Sequence, residues 1–314
     1  MIRLLEPGPG SKDLAKKREA LELSHWESFH DRGRWHLEHS KALGGFLNLG
    51  LKILGLKKRG IRNALDLRVN ELDLAFTGLP DSFDGFRMVF VSDLHLDALA
   101  GLTERLSAVL SGIKADICLL GGDFRALVSG PTHGVYLHMN RLLSSLDFPL
   151  GVVGIMGNHD FYEEALELRR MGMTFLINQA LELEKNGQKI YIVGLDDTHY
   201  YDCADLRGAL EKVPFDAFKL LMVHSPELLH EAGAAKIDLY LCGHTHAGQL
   251  RLPWLGALIL NAKCPRKYTW GLWQKAAMWG YTSSGAGVTL VPIRFNCPPE
   301  VLVLTLRKAS KKAG

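Results

Sequence analysis

Cysteine is scarce and scattered in this chain: five in 314 residues, with no CxxC pair. An odd, dispersed set argues against a disulfide framework. Cys118 and Cys242 fall in apolar runs that read as buried strands, which suits free thiols in a reducing compartment. No uninterrupted apolar run approaches the roughly 20 residues needed to span a bilayer. The opening MIRLLEPGPGSKD lacks an apolar core of signal-peptide length, because Pro7, Gly8, Pro9 and Gly10 interrupt it. Internal repeats and low-complexity segments are also missing. These absences point to a cytoplasmic protein, soluble or peripheral on the inner face of the membrane. Strong charge of one sign is lacking too, with a net charge of +3. A body without a strong basic stripe argues against nucleic acid as a partner.

What charge there is lies unevenly. Residues 1–59 carry twelve Lys/Arg against seven Asp/Glu, which leaves the remainder slightly acidic. This basic arm, residues 1–60, reads as helix from Ser11 to about Gly60, with a break at Gly33. In KALGGFLNLGLKILGLKKRG, eight apolar residues from Leu43 to Leu56 form one broad face. Lys52, Lys57, Lys58 and Arg59 make its end cationic. Such a segment suits either an anionic membrane surface or docking onto the rest of the protein. After it, LRVNELDLAF alternates as a half-buried strand does, and GLPDSFDGF is a turn cluster.

From Phe86 onward short apolar strands alternate with helical stretches, the pattern of a layered α/β core. All but one of these strands end on potential metal ligands. VSDLHL supplies Asp93 and His95, and GGDF supplies Asp123. GNHD supplies Asn158, His159 and Asp160, VHSP supplies His224, and GHTH supplies His244 and His246. The carboxyl ends of strands line one edge of such sheets, where ligands bind. Carboxylate, imidazole and amide together suit a pair of divalent cations.

The ordered set D-x-H, G-D, G-N-H-D, H and G-H-x-H, over about residues 86–250, resembles the calcineurin-like metallophosphoesterases. GHTHAGQLRLP, KYTWG, SSGAG and RFNCPPEVLVLTL are similar to that family's bacterial membrane-associated branch. Some members of the branch hydrolyse UDP-2,3-diacylglucosamine in lipid A synthesis. The resemblance implies a four-layer α/β/β/α sandwich over residues 61–314, behind the N-terminal helical extension. It makes the C-terminal part the closing strands of a second sheet. It also implies two divalent ions, of Mn, Fe, Zn or Co. Asp93, His95, Asp123 and His246 would hold one, and Asp123, Asn158, His224 and His244 the other. His159 would be the catalytic acid, and Asp160 would either orient it or form a structural ion pair. The substrate so implied is a phosphoester or a lipid-linked pyrophosphate. Nucleotide or cyclic-nucleotide phosphodiesterase activity and a non-catalytic scaffold are the competing readings.

One departure from the family pattern stands out. Many members read G-D-x-x-D, with the later Asp bonded to the catalytic His, whereas GDFRA places Ala126 there. Arg125 is a candidate phosphate contact or a surface residue. Lys267, with Lys263 and Arg266, suits a diphosphate, lipid headgroups or plain surface. Trp254, Trp270, Trp273 and Trp279 suit an acyl groove, a membrane interface or core packing. His25, His30, His36 and His39 read as exposed. His133, His138, His199 and His230 have no ligand company in the sequence.

Overall fold

The computed structural model describes residues 1–27, 45, 50–128, 132–257 and 260–309. Residues 41–44 and 46–49 of the amphipathic stretch, and the break expected at Gly33, lie outside the described residues.

The chain opens with a strand, β1 (Ile2–Leu4), and a helix, α1 (Ser11–Glu27). Helix α2 (Lys57–Leu65) and β2 (Arg68–Phe76) follow. Strands and helices then alternate through β3 (Arg87–Val91), α3 (Leu102–Leu110), β4 (Ile117–Leu120), α4 (His133–Leu143), β5 (Val152–Gly154), α5 (Tyr162–Arg170) and β6 (Thr174–Phe175). Next come β7 (Gln179–Lys185), β8 (Gln188–Gly194), α6 (Leu206–Ala209), β9 (Phe218–Met222), α7 (Leu229–Ala234) and β10 (Leu239–Cys242). A small hairpin, β11 (Arg251–Leu252) and β12 (Gly256–Ala257), precedes β13 (Gly271–Lys275), β14 (Met278–Thr282) and β15 (Glu300–Lys308).

Two mixed sheets result. The first runs β2-β15-β3-β4-β5-β6 and the second β1-β7-β8-β9-β10-β14-β13. Period-2 alternation explains how they stack, because successive side chains point to opposite faces. In β3, Met88 and Phe90 join the core between the sheets, while Val89 and Val91 join the core under α3, α4 and α5. In β10, Leu239 and Leu241 face the inter-sheet core, while Tyr240 and Cys242 face a third core with α6 and α7. Strands buried on both faces read as continuous apolar runs. The three cores define four layers, α/β/β/α, as the sequence implies.

The placement of the C-terminal strands is corrected in one respect. β13 and β14 do close the second sheet, but β15 lies in the first. It pairs parallel with β2 over nine residues and antiparallel with β3. The alternation is again the reason: Val301 and Val303 fill the helix-side core, and Leu302, Leu304 and Leu306 the inter-sheet core.

The N-terminal residues are fused to this body. β1 adds an antiparallel strand to β7. On α2, Gly60 sits so close to Ile293 that a Cβ there would be 2.7 Å from it. Asn63 Nδ2 donates to Arg294 O at 3.0 Å. The cationic KKRG end of the amphipathic stretch therefore docks on the body. Just before it, Ile53 and Leu54 are exposed. Among the described residues no helix is long and apolar enough to cross a membrane.

Candidate metal centre

β3, β4 and β5 run parallel in the first sheet, and β9 and β10 run parallel in the second. Their carboxyl ends deliver Asp93 and His95, Asp123, Asn158 and His159, His224, and His244 and His246 respectively. All eight side chains are buried. Five of these residues (Asp93, His95, Asp123, His244 and His246) have φ between +40° and +68°. L-residues seldom enter that region, and such strain gathers at functional sites. Glycine lets the loops close on one another: Gly122 has φ +88°, and a Cβ on it would lie 2.5 Å from Gly157 N. A Cβ on Gly157 would in turn overlap the Asp123 carboxylate.

Backbone carbonyls orient the imidazoles. His95 Nδ1 lies 2.6 Å from Arg125 O, His159 Nδ1 2.7 Å from Ala126 O, and His224 Nδ1 2.8 Å from Gly121 O. Each Nδ1–H donates to its carbonyl, which leaves Nε2 directed into the cluster, the usual way of presenting a histidine to a metal. At the position where an Asp would orient His159, the Ala126 carbonyl does so. His244 directs Nδ1 at Asn158 Oδ1, 2.8 Å away, and its buried Nε2 has no hydrogen-bond partner.

Asp123 is the hub. Its Oδ1 accepts the His159 N–H at 2.9 Å, and its Oδ2 lies 3.2 Å from His224 Nε2. Burial alone would raise its pKa, but His224 and His159 hold it well below the usual carboxylate range. Burial opposes charge on His224 as well, yet Asp123 and Asp93 raise its pKa to about 10. Burial lowers His159 to about 4, and it holds His244 and His246 well below the ordinary imidazole value. The last two are therefore neutral, with lone pairs available to a cation.

Three overlapping donor sets bring their ligand atoms within 4.8 Å of one another: Asp93–His95–His246, His95–Asp123–His159 and Asp93–Asp123–His224. His95 Nε2 and His246 Nε2 face each other at 3.1 Å, which requires a proton or a cation between them. Buried anions beside neutral imidazoles, with an orphaned His244 Nε2, fit borderline divalent cations. The centre is a site for two divalent metal ions. Asp93, His95 and His246 form one set without Asp123, which belongs to the other two. His159 falls inside the cluster as well.

The remaining site candidates sit differently. The Asp160 carboxylate accepts the N–H groups of Asp123, Phe124 and Gly157 at 2.7–2.8 Å, which clamps two of the ligand loops together. Burial, then Asp123, raises its pKa to about 6. The Arg125 guanidinium is buried, 3.3 Å from Glu164 and 4.6 Å from the Phe161 ring. Lys267 is exposed, with Nζ over the Tyr268 ring. Of the four tryptophans, Trp273 is core and Trp254 is 95% exposed.

Three side chains escaped the sequence reading. His199 has company after all: its ring centroid is 4.3 Å from that of His244, and its Nδ1 is 2.6 Å from Glu227. The signal was available, since LDDTH ends the one strand that seemed to lack a ligand. Arg294 is fully buried, with Nη2 3.3 Å from His246 Nδ1 and bonds to the carbonyls of Ser284, Gly285 and Gly287. Arg18, on α1, reaches from the N-terminal arm to Asp196, Gly157 O and Asp160 O. Nothing in the sequence around Arg18 marks it out from its neighbours.

A four-layer sandwich that focuses carboxylates and imidazoles from both sheets onto two cations defines a metal-dependent phosphoesterase. Residues 86–248 match the calcineurin-like phosphoesterase family, and the chain belongs to it. It is 33% identical over 242 residues to the metallophosphoesterase YkuE of Bacillus subtilis, spanning 74% of this chain and 82% of that one. It is 29% identical over 235 residues to the phosphodiesterase YaeI of Escherichia coli, spanning 72% and 84%. Relatives extend beyond bacteria. A Bos taurus transmembrane protein with a metallophosphoesterase domain is 26% identical over 290 residues, spanning 85% of this chain and 62% of that one.

Proposed function

We propose that the chain hydrolyses a phosphodiester or pyrophosphate bond in a membrane-borne substrate. UDP-2,3-diacylglucosamine is the specific candidate, handled at the inner face of the cytoplasmic membrane. The observation that carries the hydrolytic reading is the interlocking of three buried Asp/His sets, two of which share Asp123. Asp93, His95, Asp123 and His246 would hold one cation, and Asp123, Asn158, His224 and His244 the other. When bound, such a pair neutralises charge on the phosphoryl oxygens and makes water a better nucleophile at neutral pH. Retention of every ligand position argues against a non-catalytic scaffold. The name of the Escherichia coli relative supports a diester bond.

His159 is the group that holds and passes the proton. With Nδ1–H donated to the Ala126 carbonyl, its Nε2 faces the carboxylate hub, 3.8 Å from Asp123 Oδ2. The buried ring is neutral, so an anionic substrate is needed to stabilise the protonated form that donates to a leaving oxygen. His159→Ala is expected to lower kcat by about 10²–10⁴-fold, the range for losing a positioned acid or base. Metal content by elemental analysis should stay at the wild-type level. Loss of metal instead would make His159 a ligand. Asp160 acts by positioning, since its oxygens hold the loops of Asp123 and Asn158 together.

The substrate reading is tested with chelated protein reloaded with Mn, Fe, Zn or Co. UDP-2,3-diacylglucosamine should be assayed beside the bis- and mono-nitrophenyl phosphates. Chelation is expected to abolish turnover and metal to restore it, with the pyrophosphate and diester cleaved in preference to the monoester. Cleavage of the monoester alone would overturn the reading. Preference for a cyclic nucleotide would move the chain to the competing class.

A further inference from the structure

Residues 239–299 contain six Lys/Arg and not one Asp or Glu. Within this acid-free stretch the β11–β12 hairpin holds Trp254 at 95% exposure and Leu255 at 73%. Leu252 beside them, and Trp270 and Leu272 at the start of β13, are exposed as well. These residues belong to one surface. The Arg251 guanidinium lies 4.3 Å over the Trp270 ring, and Arg266 Nη2 donates to Ala257 O at 2.8 Å. Arg251 Nη1 also donates to Ala247 O at 2.9 Å, one residue from the candidate ligand His246. The hairpin is thereby tied to the wall of the metal centre.

Single exposed apolar side chains are ordinary, but two tryptophans and three leucines gathered beside Arg251, Arg266 and Lys267, in a stretch of chain that supplies no acid, are not. A surface that read nucleic acid would use the cations and could stack a base on an indole, but would have no use for the bare leucines Leu252, Leu255 and Leu272. A bilayer interface uses both. An indole rests at headgroup level with its apolar body inward, and Lys and Arg are drawn to anionic headgroups. We infer that the β11–β12 hairpin, led by Trp254 and Leu255, docks on an anionic lipid surface and brings the metal centre to the headgroup layer. The inference rests on the membrane-borne substrate for its purpose, but binding is measured without turnover, so the two can fail separately.

The test uses the full chain and sedimentation with two kinds of vesicle: phosphatidylglycerol with phosphatidylethanolamine, and phosphatidylcholine alone. The wild type should partition into the anionic vesicles and much less into the neutral ones. Trp254→Ser with Leu255→Ser should lower that partition about tenfold or more, the result of losing an inserted apolar tip. Lys267→Glu should lower it less, and added salt should mimic that loss. Vesicles of brominated lipid should quench part of the tryptophan emission, and Trp254→Phe should remove that part. Because the tip residues are solvent-exposed, the thermal midpoint and the hydrolysis of soluble bis-nitrophenyl phosphate should be unchanged in the variant.

Anionic-vesicle binding equal in the tip variant and the wild type would overturn the inference and move attention to residues 28–56. Absence of vesicle binding by the wild type would overturn it too. So would binding to a single-stranded oligonucleotide, lost in the tip variant, with no vesicle binding. A wild type that binds through the tip yet hydrolyses none of the substrates would leave the docking surface standing and sink the proposed function.

Discussion

Asp123→Asn is expected to abolish turnover and to strip metal from the protein, although the side chain keeps its shape. Both carboxylate oxygens are in use: Oδ1 accepts the His159 N–H, and Oδ2 faces His224 Nε2 at 3.2 Å. An amide turns one of them into a donor. In one flip state the NH₂ meets the His159 N–H, a buried donor against a donor; in the other it replaces the oxygen beside His224 Nε2 and cannot ligate a cation. The substitution also removes the negative charge shared by two of the three donor sets. Turnover should fall by at least about 10²–10³-fold, the scale of losing one preorganised electrostatic element. Elemental analysis should find fewer than two ions per chain. Two retained ions with near-normal kcat would show that Asp123 is not shared.

Arg18→Met should produce the largest loss of stability among single changes in the N-terminal arm. The guanidinium is fully buried. Nη1 donates to Asp196 at 2.8 Å, Nη2 donates to Asp160 O at 2.5 Å, and the Tyr201 ring stacks 3.5 Å away. Methionine fills part of the volume but strands the Asp196 carboxylate in the interior. Breaking a buried pair in this way costs roughly 3–5 kcal/mol. The denaturant midpoint measures it. Arg18→Met with Asp196→Leu should recover part of the loss, because the fully buried Asp196 carboxylate is then gone and only Glu22, the other partner of Arg18, keeps an unpaired charge. If the double variant were no more stable than the single one, the pair would not be the cause. Activity should fall as well, since the carbonyls of Gly157 and Asp160 flank Asn158 and His159 and lose their common donor.

The layered core and the gathering of the candidate ligands were legible for one physical reason. A strand buried on both faces is an unbroken apolar run, so its end is sharp in the sequence, and ligands placed at such ends stand out. Asp93, His95, Asp123, His224, His244 and His246 all follow that rule. β7 and β8 were half legible: KIYIVG reads as a strand. The Asn186-Gly187 turn that joins the two strands, both residues at positive φ, is a hairpin signal that went unread. The sheet to which β15 belongs was not legible, because alternation says which residues point together and not which neighbour they join. Arg18 meets Asp196 and Arg294 meets His246 across 178 and 48 positions, and nothing local distinguishes either from a surface arginine, whereas His199 carried a strand-end signal that went unread. The orientation of His159 was hidden for another reason. A backbone carbonyl does the work of the missing side chain, and any residue at position 126 supplies a carbonyl.

The position of β15 sets an order of events during synthesis. It is the last of the described strands, yet it lies between β2 and β3, more than two hundred residues upstream. The loop leading into it braces the site: Ala286 N donates to Ser92 O, and Gly287 N to Asp93 O. While the ribosome still holds residues 283–308, β3 lacks one neighbour and Asp93 lacks its brace. Contacts so distant in sequence are slow to close, and unpaired strand edges invite wrong partners meanwhile. The nascent chain therefore carries all the candidate metal ligands well before it can hold them in place, and the site is completed only when residues 283–308 have emerged.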